Sequence, residues 1–189
     1  MMKPNLAHKL RTGISPQQFM DGMQKNKETF QTNYEQFAWD VPGEREFFES
    51  LNHRDDIRVL ILAADWCGDV VRNIPVVFHA LETAGIPTEV LILEENLDVM
   101  DQFLTMGGRS VPVVIFIDTG GHVLGHWGPR PEHVQQYMIT FKQENQDREA
   151  ADYDEKMSVV RSQMIEAYGE GVDIRTVILR ELRELISGI

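Results

Sequence analysis

The sequence predicts an α/β fold: a mixed sheet in the order β-α-β-α-β-β-α, with helical extensions before and after it. Three observations carry this reading. Val59, Leu60, Ile61, Leu62 and Ala63 form a continuous apolar run, the pattern of a strand buried on both faces. The next segment changes to helical spacing, with Val71, Ile74, Val77, Phe78 and Leu81 on one face and Gly85 at its end. Further on, two apolar runs flank Asp118-Thr119-Gly120-Gly121, a hairpin signal. A chain of 189 residues suits a single domain. Within it we expect a helical extension over residues 1–54, a core over 55–145 and a second helical extension over 146–189.

Each element has a local reason. Ser15-Pro16 is an N-cap followed by the residue best suited to a first helical turn. Beyond it Phe19, Met23, Phe30, Tyr34 and Phe37 recur at helical intervals and predict one helix face that packs on the core. Pro42-Gly43 interrupts, and Phe47, Phe48 and Leu51 fit a short second helix. After the first strand and its helix come a strand over residues 89–93 and a helix over 97–106 stopped by Gly107-Gly108. Strands over 111–117 and 122–127 follow, and Pro131-Glu132 opens a helix to about residue 145. The order predicts two parallel crossovers and then an antiparallel pair, with helices on both faces of the sheet. From Asp147 the chain is helical again. Ile174, Val177, Ile178, Leu182, Leu185 and Ile186 give it an amphipathic stripe that packs on the core or forms a homodimer seam.

Composition excludes several classes of function. There are 18 Lys and Arg against 30 Asp and Glu, a formal charge of -12, which repels phosphate backbones and argues against nucleic-acid binding. One cysteine cannot form a disulfide within the chain. The longest apolar stretches, residues 59–64 and 111–117, fall far short of the ~20 residues that span a bilayer. The first residues, MMKPNLAHKLRTG, have no apolar segment behind their basic groups, so no secretory signal is expected. A cytoplasmic protein without membrane contact is the expectation. His122 and His126 lie four apart with no third ligand at a suitable spacing, so no metal and no bound cofactor are expected.

The one cysteine sits in Asp65-Trp66-Cys67-Gly68-Asp69, at the carboxyl end of the first strand and the start of its helix. Ligands and chemistry gather at that junction in open α/β sheets. Helix N–H groups and the helix dipole there favour thiolate, the nucleophilic form. The dipole supplies ~0.3–1 kcal/mol. A carboxylate on Asp69 at about 6 Å opposes it by roughly 0.7–2.8 kcal/mol for an effective dielectric between 80 and 20. The repulsion equals or exceeds the dipole, so Cys67 is not expected to be strongly activated unless Arg72 or Arg109 offsets the charge.

Trp66-Cys67-Gly68, the proline eight residues after the cysteine (Pro75), Ser110-Val111-Pro112 with Arg109 before it, and Gly120 and Gly128 together resemble the thioredoxin superfamily over about residues 55–145. The resemblance implies a thioredoxin-like fold in which Pro112 is cis and faces the thiol, while the backbone of Val111 pairs with an extended substrate. It also implies that Trp66, Gly68, Arg109, Val111 and Pro112 shape a substrate groove beside Cys67. Where the family has its resolving cysteine this chain has Val70, and Asp69 stands where proline is usual. Ile61 occupies the place of the family's buried aspartate. A dithiol cycle is therefore closed to this chain alone.

Two expectations follow. In the first, Cys67 is a monothiol nucleophile for a protein or small-molecule disulfide, or a sensor of oxidation, with a low-molecular-weight thiol as co-substrate. Asp69 is then either a proton donor or acceptor beside the sulfur, or an acid that only complements the helix dipole. In the second, a redox-inactive thioredoxin fold binds a peptide or protein partner in the same groove.

Overall fold

The apolar run becomes the central strand of the sheet. The computed structural model describes residues 3–169 and 173–189, and among them are four strands and eight α-helices. Helices α1 (Pro16–Gly22), α2 (Lys27–Glu35) and α3 (Glu44–Ser50) precede strand β1 (Ile57–Ala63), which leads into helix α4 (Gly68–Ala84). Strand β2 (Thr88–Ile92), helix α5 (Leu97–Met100), strands β3 (Val113–Asp118) and β4 (Val123–Trp127) and helix α6 (Glu132–Glu144) complete the α/β order. Helices α7 (Tyr153–Gly169) and α8 (Ile174–Ser187) form the carboxyl-terminal part; residues 170–172, within the segment expected to be helical, lie outside the described residues. The sheet order is β2-β1-β3-β4. Apart from Arg58 every residue of β1 is buried, and so is every residue of β3 except Asp118, so helices cover both faces.

The second crossover differs from the expectation. β1 and β2 are parallel, but β3 runs antiparallel to β1, with Leu62 opposite Val113 and Ile57 opposite Asp118. The cause is length. The helix expected over residues 97–106 is only the four residues of α5, which advance the chain about 6 Å at the rise of an α-helix. A strand of five residues spans roughly 17 Å, and no helix of that length carries the chain back to the far end of the sheet. β3 therefore enters beside the carboxyl end of β1. Beyond the helix, residues 105–108 close a tight turn in place of its expected last turn: Thr105 and Gly108 exchange both backbone hydrogen bonds at 2.9 Å. Met106 (φ 49°) and Gly107 (φ 77°) both take the left-handed conformation that such a turn requires.

The stripe expected on one helix is divided: Phe19 lies on α1, Phe30 and Tyr34 on α2, and Met23 and Phe37 fall just beyond the ends of those helices. The chain breaks at residues 23–26, where Asn26 is left-handed (φ 56°) and the backbone N–H groups of Gln24 and Lys25 donate to Asp65 at 2.8 and 3.0 Å. Both helices still pack on the same surface of α4, which is why the spacing survives the break. Phe19, Phe30 and Phe78 of α1, α2 and α4 meet with ring centroids 5.9–6.3 Å apart. The Ser15 cap forms as read: its hydroxyl accepts from Gln18 N–H at 3.1 Å and the Gln18 side chain accepts from Ser15 N–H at 2.9 Å. Ser15→Ala removes this reciprocal pair and is expected to cost about 1 kcal/mol, read as a lowered urea midpoint with an unchanged slope.

The terminal segments pack against the rest of the chain, although Val159 and Ile165 of α7 stay exposed. Ile14 pairs with Val90 at the β2 edge, and Asn5 pairs with His122 at the opposite edge of the sheet. The stripe of α8, including Ile178, Leu182 and Ile186, joins the core formed by the sheet and α4. α7 lies on α6 through a smaller cluster of Val134, Met164 and Ala167. No helix among the described residues is long and apolar enough to cross a membrane.

Candidate functional site around Cys67

Cys67 is the N-cap residue of α4, at the point where the buried β1 strand gives way to the helix. The residue is partly exposed. Its thiol lies 3.4 Å from the carbonyl oxygen of Val111 and donates to it. The next peptide bond, Val111–Pro112, is cis. Pro112 is buried and Val111 is 3 % exposed, so this strand end presents its backbone rather than its side chains to the sulfur. Val111 is thus already engaged by the thiol through its carbonyl. Gly128, just beyond β4, packs its backbone against the Pro112 carbonyl and has φ 112°, a region closed to residues with a side chain.

The remaining residues singled out in the sequence fall in different places. Trp66 stands half-exposed next to the thiol, its indole N–H donating to Glu94 at 2.6 Å. Gly68 is the first residue of α4 and lies under the Arg72 guanidinium: a Cβ at position 68 would meet Arg72 Nη1 at 2.7 Å. Val70, at the place of a resolving cysteine, is fully buried. Arg109 is exposed and bound bidentately by Asp101, Nε at 2.7 Å and Nη2 at 2.9 Å. It is therefore not the cation that offsets Asp69. His122 pairs with Asp118, and His126 packs edge-on against Phe103, so the two make no common site. No cluster of three or more potential metal ligands occurs among the described residues.

Asp69 has partners that sequence reasoning missed. Arg130 Nε donates to its Oδ2 at 2.9 Å, and the pair is only 13 % and 16 % exposed. The Tyr168 hydroxyl donates to Oδ1 at 2.7 Å. Asn73, fully buried one turn along α4, donates to that hydroxyl at 2.9 Å and to the Pro129 carbonyl at 3.3 Å, while its Oδ1 has no protein partner. Burial and the neighbouring Asp69 carboxylate push the Tyr168 hydroxyl far up, so it stays a donor. Asp69 is in this way saturated by one cation and one hydroxyl. It is poorly placed to exchange protons with the sulfur, and the role of a helix-start acid held by tertiary partners fits it better.

Burial pushes the Cys67 thiol above the ordinary thiol range, and the Asp69 charge adds to the rise. The backbone N–H groups of Val70 and Asp69 pull the other way, as does Arg130. The sulfur nevertheless makes no capping hydrogen bond. Burial and the carboxylate win, which gives a thiol that is held in place and protonated at neutral pH.

The terminal extensions frame this site on two sides. The α1–α2 connection is tied to Asp65 through Gln24, Lys25 and Asn26, and α7 reaches Asp69 through Tyr168. No local signal in the sequence links Arg130 or Tyr168 to Cys67.

The thioredoxin family profile matches residues 13–151, so the match begins at the amino-terminal helices rather than at β1. Among solved structures, a Pseudomonas aeruginosa protein of unknown function is 17% identical with a TM-score of 0.68, and the alignment covers 98% of each chain. A crystallised HIV epitope-scaffold is also 17% identical, with a TM-score of 0.67 over 98% of this chain and 99% of the scaffold. At that identity the two share the fold alone. No curated protein matches the sequence.

Proposed function

The chain belongs to the thioredoxin family, and from that premise we propose that it is a monothiol member in which Cys67 carries out thiol–disulfide exchange with a small-molecule or protein disulfide. The observation that carries this reading is the position of the thiol: partly open at the start of α4 and aimed at the Val111 carbonyl beside the cis bond to Pro112. Trp66, Gly68, Val111 and Pro112 border the place where a disulfide would lie. Asp69 tunes the sulfur rather than reacting.

The chemistry closes without a second cysteine. Cys67 loses its proton to solvent, and the thiolate attacks one sulfur of R–S–S–R. A Cys67–S–S–R bond forms, the R–S–S–R bond breaks, and R–S⁻ leaves with the electron pair. A second low-molecular-weight thiolate then attacks the sulfur of R, which forms a new disulfide and returns the Cys67 thiolate. Val70 cannot take that second role.

A second reading, a redox-inactive fold that binds a peptide or protein in the same groove, has one observation in its favour: the thiol is held up by burial and by Asp69. Alkylation kinetics bear on both. At neutral pH wild-type Cys67 is expected to react no faster than free cysteine. Its rate should still be climbing with pH above about 8.5, where a free thiol is half ionised. Asp69→Asn removes a negative charge at about 6 Å and should raise the neutral-pH rate roughly 3- to 100-fold. A rate unchanged by Asp69→Asn would show that the carboxylate does not govern the thiol, and would leave burial as the only cause.

A further inference from the structure

Beside the thiol, on the α7 side, lies a cleft of about 390 Å³ that the thiol chemistry does not use. Gly68 and Asp69 form part of its wall, and its charge stands out in a protein of formal charge -12. Arg72, Arg130, Lys142 and Arg161 converge on it from α4, the loop before α6, α6 itself and α7. The one carboxylate in the wall is Asp69, already occupied by Arg130 and Tyr168. Among the described residues no carboxylate lies within 4.0 Å of Arg72, Lys142 or Arg161.

Two of these cations are held in place by uncharged contacts. The Arg72 guanidinium lies over the Tyr168 ring, 5.3 Å from its centroid, in space left by the absent side chain of Gly68. Lys142 donates to the Met106 carbonyl at 3.4 Å. Burial lowers the Lys142 ammonium, and Arg148 and Arg130 lower it further by repulsion. Like charges lining one cleft oppose one another, and an anion between them relieves that cost. Met138 and Met157 supply an adaptable apolar wall.

We infer that this cleft binds a small amphiphilic anion: an oxyanion head, phosphate or carboxylate, held by Arg72, Lys142 and Arg161, on a short apolar body that lies against the methionines. The cleft shares Gly68 and Asp69 with the exchange site, but none of the contacts that would hold the anion requires Cys67 to react.

Calorimetric titration of the full chain with phenyl phosphate, phenylacetate and inorganic phosphate tests the inference. Saturable binding of an aromatic anion is expected, tighter than that of inorganic phosphate, and weakening as salt rises from about 50 to about 200 mM. Tighter binding of phenyl phosphate identifies a phosphate site, and tighter binding of phenylacetate a carboxylate site. Arg161→Gln and Lys142→Gln are each expected to weaken binding at least about fivefold. Arg45→Gln, a surface substitution outside the cleft, should leave it unchanged. The inference is overturned if none of the probes saturates by about 10 mM, or if the Lys142→Gln/Arg161→Gln double variant binds as tightly as wild type while its melting temperature is retained. Cys67 alkylation measured in parallel reports on the exchange reading by itself, so either proposal can fail without the other.

Discussion

Gly128→Ala is expected to destabilise the protein by at least about 3 kcal/mol and to displace the segment that faces the thiol. At φ 112° a side chain is strained whatever space surrounds it. A Cβ there would also fall inside the contact distance of the Pro112 carbonyl oxygen, which is backbone and cannot rotate away. The conformation alone costs about 1–3 kcal/mol, and relieving the overlap requires the end of β4 and the start of β3 to move apart. Because the Val111 carbonyl that accepts from Cys67 is one residue from Pro112, the thiol should lose its partner along with the stability. Gly22→Ala is the control. That position has open space and an ordinary φ at the end of α1, so stability should stay level or rise by up to about 1 kcal/mol. Urea unfolding of both variants decides the matter, and a loss below about 1 kcal/mol for Gly128→Ala would contradict the packing described at Pro112.

Arg130→Met should cost about 2–4 kcal/mol, since it leaves the Asp69 carboxylate, in a pair only 13 % and 16 % exposed, with the Tyr168 hydroxyl alone. The buried-pair figure is somewhat larger, and the residual exposure of both groups reduces it. Combining Arg130→Met with Asp69→Asn removes both charges, and the double variant should recover part of the loss. That double-mutant cycle isolates the pair from its surroundings. The two single variants also move the thiol in opposite directions. Losing Arg130 removes a charge that favours thiolate and should slow alkylation of Cys67, whereas Asp69→Asn should speed it. Rate changes of the same sign in both variants would break the electrostatic account of the site.

What could be read in advance depended on whether its cause was local. The β1 run, the α4 spacing that ends at Gly85 and the Ser15 cap are each specified by neighbours within a few residues, and each formed as read. The direction of β3 was not legible, because it turns on the length of α5, and the apolar spacing from Leu97 to Met106 does not reveal the tight turn at Met106 and Gly107. The break between α1 and α2 was hidden for the opposite reason: both helices face α4, so their aromatic residues keep one rhythm across it. At the site, the place of Cys67 at a strand-to-helix junction was visible in the order of elements. Its electrostatic partners were not. Arg130 lies 61 residues from Asp69 and Tyr168 lies 99 away, and only tertiary packing of the α6 entry and α7 brings them together. Arg109, nearer in sequence to the groove, is drawn off by Asp101.

The most direct measurement is the intact mass of the protein after incubation with oxidised glutathione at about pH 8.5, where more of the thiol is ionised than at neutral pH. A single glutathionyl group is expected on wild type and none on Cys67→Ser, with complete release of the adduct by excess reduced glutathione. A wild-type mass that never gains the group, or an adduct that a free thiol cannot remove, would contradict an exchange role for Cys67.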